Sequence, residues 1–174
     1  DEESSGLWTR EFGPSASDVL RFSARCAVLD HKEGVLSARV FVSDCYLCIL
    51  VFARKSSDSS HIPCVVPLAQ ISSWCPAVSS EIAEPPYVRI SRPQSVHQTP
   101  TAACIFTNQR RVHMLHRFEE EEEEETGDGS NASAVAVRFC ATMQSCWRAA
   151  EQQQLSLPPP PPLQFGQCPE HSGQ

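Results

Sequence analysis

No stretch of this 174-residue chain reaches the ~20 apolar residues of a membrane-spanning helix. The longest apolar run, Tyr46 to Ala53, is strand-sized. No apolar segment follows basic residues near the start, so no secretory signal is visible, and the opening DEESSGLWTREFGP, without an initiator Met, reads as cut from a longer polypeptide. Positive charge is scarce: 14 Lys and Arg stand against 21 Asp and Glu, a net charge of -7. The seven glutamates Glu119 to Glu125 account for that excess, which leaves a neutral body of 14 against 14. Nonspecific phosphate binding needs an excess of positive charge on one face, so no nucleic-acid partner is expected. Also missing are a G-x-S-x-G turn, a glycine-rich phosphate loop and an H-E-x-x-H pair, and with them the expectation of an enzyme.

Cysteine is present without forming a framework. The nine residues at 26, 45, 48, 64, 75, 104, 140, 146 and 168 are odd in number and scattered through apolar runs, unlike the staples of a small secreted scaffold. A reducing compartment is expected, cytoplasmic first, with cytoskeletal or nuclear placement compatible.

Along the chain, residues 1–17 are rich in acid, Ser and Gly and read as a flexible lead-in. From Val19 the pattern alternates: Leu20, Phe22, Ala24, Cys26 and Val28 interleave with Arg21, Ser23 and Arg25, the period-2 mark of a half-buried strand. After the polar turn His31 to Gly34, the runs Arg39 to Asp44 and Tyr46 to Ala53 predict a hairpin. Lys55 to His61 reads as a loop. Ile62 to Ile71 carries Pro63 and Pro67, which confine it to an edge or an interrupted strand. Pro76 to Pro86 reads as a loop, Tyr87 to Ser91 as a short strand and Arg92 to Thr101 as another loop. Residues 102–118 fit either a hairpin turning at Asn108-Gln109 or one bulged strand.

Seven consecutive glutamates would ordinarily end a domain, because like charges repel and bury nothing. Apolar patterning resumes beyond them. Ala134 to Phe139 reads as a seventh strand, and Cys140, Met143, Cys146, Trp147 and Ala150 recur at helical spacing. A lone helix of that length is marginal in water, so its stripe, anchored by Met143 and Trp147, needs the preceding sheet to bury against. The acidic stretch 119–133 is therefore expected to be a solvated insertion between the sixth and seventh strands. Five prolines, Pro158 to Pro162, then forbid helix and favour polyproline II, which marks 155–174 as a proline-rich flexible tail.

About seven strands and one amphipathic C-terminal helix with a central Trp resemble the pleckstrin-homology (PH) superfold. The echoes are RVFVSDCYLCILVF for its second and third strands, IPCVVPLAQI for its fourth, and VAVRFCATMQSCWRAA for its last strand and helix. The resemblance covers 18–154 and implies a mainly β, bent antiparallel barrel capped by one C-terminal α-helix. It implies a noncatalytic protein-interaction module within a larger intracellular scaffold, which would receive a partner on an open sheet edge or in the groove beside the Trp147 helix. In lipid-binding members the first two strands supply a basic cluster. Here Lys32 and Arg39 take related places, while Ser37 stands where a second basic residue would be.

A basic rim of Arg25, Lys32, Arg39, Arg54 and Lys55 is accordingly the candidate site for a partner or, as second choice, a phosphoinositide headgroup. The proline run Pro158, Pro159, Pro160, Pro161 and Pro162 is a candidate ligand for a polyproline-binding module, or a stiff linker. Cys45-x-x-Cys48 lies in a strand and lacks the helix N-terminus of a redox motif. His61-x-x-Cys64 and His113-x-x-His116 lack a second well-spaced pair, so no metal and no cofactor are expected.

Overall fold

The computed structural model describes residues 2–14, 17–30, 34–52, 61–82, 87–119 and 131–156. Alternation makes the first strand, β1 (Leu20–Asp30): Phe22, Ala24 and Cys26 are buried on one face, while Arg21 and Arg25 are exposed on the other. Gly34, at φ +79°, adopts a backbone conformation that L side chains resist and opens β2 (Gly34–Ser43). The expected hairpin of β2 with β3 (Tyr46–Phe52) is present. Its turn is tied down by buried Asp18, which accepts hydrogen bonds from Ser43 Oγ at 2.8 Å and the Cys45 amide at 3.2 Å. Arg21 adds a two-pronged contact to Asp44 at 2.6 and 3.1 Å.

β4 (His61–Pro67) pairs with β3 and ends the sheet, the edge position its prolines demand. A 3-10 turn, Leu68–Gln70, bends the chain into β5 (Ile71–Ile82). β5 overturns the loop expected from Pro76. The Ala77 carbonyl accepts from the Thr101 amide, and the Ser79 amide donates to Thr101 Oγ1. Odd positions of β5 therefore turn toward β7, and the nitrogen of Pro76 turns the other way. There the partner strand β6 (Tyr87–Ser91) begins pairing only at Val78, so no donor is missed.

Residues 102–118 are a hairpin, β7 (Ala102–Thr107) with β8 (Val112–Glu119). Arg110 takes φ 60° in its loop, and the Asn108 amide donates to Gln70 O at 2.8 Å, which pins the loop to the 3-10 corner. Among the described residues the result is one open sheet of eight antiparallel strands, one more than expected, in the order β4-β3-β2-β1-β8-β7-β5-β6.

Among the described residues no strand follows the glutamates. Asn131–Ser156 is a single helix, here α2, which absorbs the strand expected at Ala134 to Phe139 and runs slightly into the expected tail. Its period decides the matter: Ala136 is fully buried and Val137 is 42% exposed, the reverse of what a strand burying Val135 and Phe139 would need. Glu119 closes β8, so the expected acidic insertion loses its ends to β8 and α2, and residues 120–130 lie outside the described residues. Phe139 stacks on Phe118 with ring centres 4.9 Å apart and meets Phe22 edge-on at 5.7 Å. Trp147, expected to be largely buried, is partly so. Its indole N–H donates to Ile71 O at 3.2 Å, so it sits at the corner between β4 and β5 with its polar edge bonded to the backbone.

The lead-in needs the largest correction. Glu2–Phe12 is a helix, α1, that lays Leu7, Trp8 and Phe12 over Phe41, Cys48 and Leu50 on the sheet face opposite α2. Trp8 is 6% exposed. Gly13, at φ +53°, stops the helix, its amide bonded to Thr9 O at 3.0 Å. The molecule thus has two apolar layers, and the bent antiparallel sheet with its C-terminal helix is PH-like in architecture.

Candidate functional site

Strand parity divides the basic residues. With Cys26 and Ala38 facing α2, Arg25 and Arg39 fall on the opposite face, where the register sets them directly across from each other. On its other side Arg25 faces Glu119 of β8. Between Arg25 and Ala27 the β1–β8 register slips, the residue opposite moving from Glu119 to His116, so β8 carries one extra residue there. Arg117, at the slip, is held at φ 51°, a left-handed conformation that costs a non-glycine residue about 1–2 kcal/mol. Such bulges re-aim side chains, and Arg117 lines a pocket of about 540 Å³ with Arg25, Arg39, His61, Glu119 and Leu7 of α1. Arg39 is 6% exposed, while Arg25 and Arg117 are solvent-facing.

The structure therefore brings together Arg25 and Arg39 of the expected rim, while Lys32, Arg54 and Lys55 lie outside the described residues, as does the run Pro158 to Pro162. Sequence reading missed Arg117, His61 and the wall supplied by Leu7. Only the helical spacing of Leu7, Trp8 and Phe12 before Gly13-Pro14 signals that wall, and nothing local signals a bulge at an arginine. Chemically, the pocket offers planar, multidentate donors suited to a carboxylate or phosphate.

The two sheet edges differ. A proline in a paired strand turns its nitrogen away from the partner, so Pro63 and Pro67 leave Val65 as the outward donor between them on β4. On β6, the direction of the β5 hydrogen bonds sets Arg89 against Ser80 as a bonded pair and turns the N–H and C=O groups of Val88 and Ile90 outward. No proline interrupts this strand.

The remaining constellations separate. Cys45 is exposed in a turn and Cys48 is buried, where burial pushes its thiol up to about 12, opposite to the low value a redox cysteine needs. Burial, then the neighbouring Arg111 charge, lowers the pKa of His113. Among the described residues, no three metal-ligating side chains come together, and no helix is long and apolar enough to cross a membrane.

No protein-family model matches the chain, and no curated protein matches it. Among solved structures, the C-terminal domain of an unknown protein from Leishmania infantum is similar at TM-score 0.50 and 14% identity, covering 83% of this chain and 98% of that one. The hSac2 domain of human phosphoinositide phosphatase Sac2 aligns at TM-score 0.45 and 9% identity, over 85% of this chain and 82% of that one. A linker-DH/PH fragment of p115-RhoGEF aligns at TM-score 0.43 and 11% identity, over 91% and 36%. The first likeness is one of fold alone, and the other two are too distant to carry an inference.

Proposed function

We propose that the chain is a noncatalytic, PH-like protein-interaction module of a larger intracellular scaffold or assembly protein, and that it receives an extended segment of its partner along β6. The observation that carries this reading is the β6 edge, where Val88 and Ile90 turn their backbone donors and acceptors away from β5, no further strand pairs with β6 among the described residues, and the strand contains no proline. Main-chain pairing there supplies affinity, and side chains on alternating faces supply selectivity. Proline substitution gives the test. Val88→Pro and Ile90→Pro each delete an outward donor without breaking the β5–β6 ladder, so both variants should fold and lose the proteins that the wild-type domain retains on a column. Unchanged retention would remove β6 as the site.

A phosphoinositide-binding role is the second reading, favoured by the convergence of Arg25, Arg39 and Arg117. Salt-sensitive sedimentation with phosphoinositide vesicles that is lost in Arg25→Glu and in the Lys32→Ala, Arg39→Ala double variant would put this reading first.

A further inference from the structure

Cys75 on β5 and Cys104 on β7 stand directly opposite each other in the strand register. The Cys75 thiol is near enough to help raise the pKa of Cys104, and both residues are partly buried and free. Among the described strand pairs this is the one position where two cysteines face each other. Cys48 and Cys64, on adjacent strands, point to opposite faces, Cys48 toward α1 and Cys64 toward the α2 core.

Odd positions of β5 turn their backbone groups toward β7, so Cys75 and Cys104 form a hydrogen-bonded pair. Cα atoms in such pairs lie ~5.5 Å apart, inside the ~4.4–6.8 Å that a disulfide spans. Both cysteines are half-buried: Phe106, two residues on and on the same side of β7, is 37% exposed and leaves the pair open to a small molecule from that flank, while Ala77 and Ala102 are buried on the other.

We infer that Cys75 and Cys104 are a modification site, closing into a reversible cross-strand disulfide when the protein meets a peroxide. Burial holds the proton on Cys104, so the Cys75 thiolate attacks hydrogen peroxide, which breaks the O–O bond, releases hydroxide and leaves a sulfenic acid. The second thiol displaces water from that sulfur and forms the S–S bond. The thiol pair loses two electrons and two protons, and the peroxide is reduced to two waters. Cross-strand Cβ atoms lie ~4.5–5.5 Å apart, more than the ~3.8 Å of a relaxed bridge. Closure therefore pulls β5 and β7 together, and a strained bridge of this kind is readily reduced by a thiol. The inference does not depend on what docks at β6.

The test treats the reduced, native full chain with hydrogen peroxide, blocks remaining thiols with N-ethylmaleimide and maps the peptides by mass spectrometry. The expected product has lost two hydrogens, joins the Cys75 and Cys104 peptides and returns to the free thiols with dithiothreitol. Its rate should climb as the pH is raised, because thiolates, not thiols, react. Chain unfolded in guanidinium before oxidation should give mixed links. Cys75→Ser and Cys104→Ser should each abolish the native product, and the wild-type map decides the matter if either variant fails to fold. A native map with other partners, a Cys104 oxidised to sulfinic acid without a link to Cys75, or the same mixture as the unfolded chain would each overturn the inference.

Discussion

At the scale of single residues, the helix stripe ranks its members by depth rather than by size. Phe139 and Met143 are fully buried between α2 and the sheet, with Phe139 in contact with both Phe22 and Phe118. Trp147, the larger side chain, lies at the rim with its indole N–H bonded to Ile71 O. Removing a fully buried Phe typically costs about 3–5 kcal/mol in lost burial and residual cavity, and a partly exposed aromatic leaves a cavity that water can enter. Phe139→Ala should therefore destabilise by about 3–5 kcal/mol and Trp147→Ala by about half that. Exposed Arg148→Ala should cost less than about 0.5 kcal/mol. Urea titrations of the three variants check the order, and a Trp147 cost above that of Phe139 would reverse it.

At the scale of elements, legibility in the sequence followed the length and regularity of the apolar pattern. β1 and the Met143 end of α2 carry a clean period, the β2–β3 hairpin two apolar runs about a polar joint, and the edge strand β4 its two prolines, and each appears near where its signal falls. Ala134 to Phe139 misled because small and β-branched residues in a run of six satisfy both periods. The choice was made by Phe139 and Ala136 packing in line with Met143, which is tertiary information. α1 was hidden by composition, since acid and serine around Leu7, Trp8 and Phe12 suggest solvent. Its partner is the outer face of β2 and β3, where Phe41 and Leu50 have no exposed surface at all. Those two strands read as continuous apolar runs because both of their faces are covered. Removing residues 1–13 should uncover Phe41, Cys48 and Leu50, lower the melting temperature and give a chain that binds a hydrophobic dye and self-associates. A truncated chain that stayed monomeric and melted like the full one would make α1 a dispensable appendage.

At the scale of the whole molecule, α2 covers one face of the sheet and α1 covers β2 and β3 on the other, and several of the described cysteines are buried or half-buried within the fold. Burial is the first cause that raises the pKa of Cys26, Cys48, Cys64, Cys104, Cys140 and Cys146, with Cys104 and Cys140 both pushed up to about 11 from the ordinary 9.0. The folded chain therefore keeps these protons at pH values where the unfolded chain has released them, so stability falls with rising pH above about 9. His113 acts from the other side. Burial lowers its pKa below the ordinary 6.5, so on acidification the unfolded chain takes up that proton first, and stability falls as the pH drops below that value. Stability should thus be greatest between about pH 6.5 and pH 9 and decline on both sides. Urea midpoints measured under reducing conditions at about pH 8 and about pH 10.5 should show the alkaline loss. Cys140→Ala should show a smaller one, since it removes one buried thiol and leaves every other titrating group in place. A midpoint that held constant or rose across that interval, or an alkaline loss as large in Cys140→Ala as in the wild type, would mean that the thiols are not what the core holds protonated.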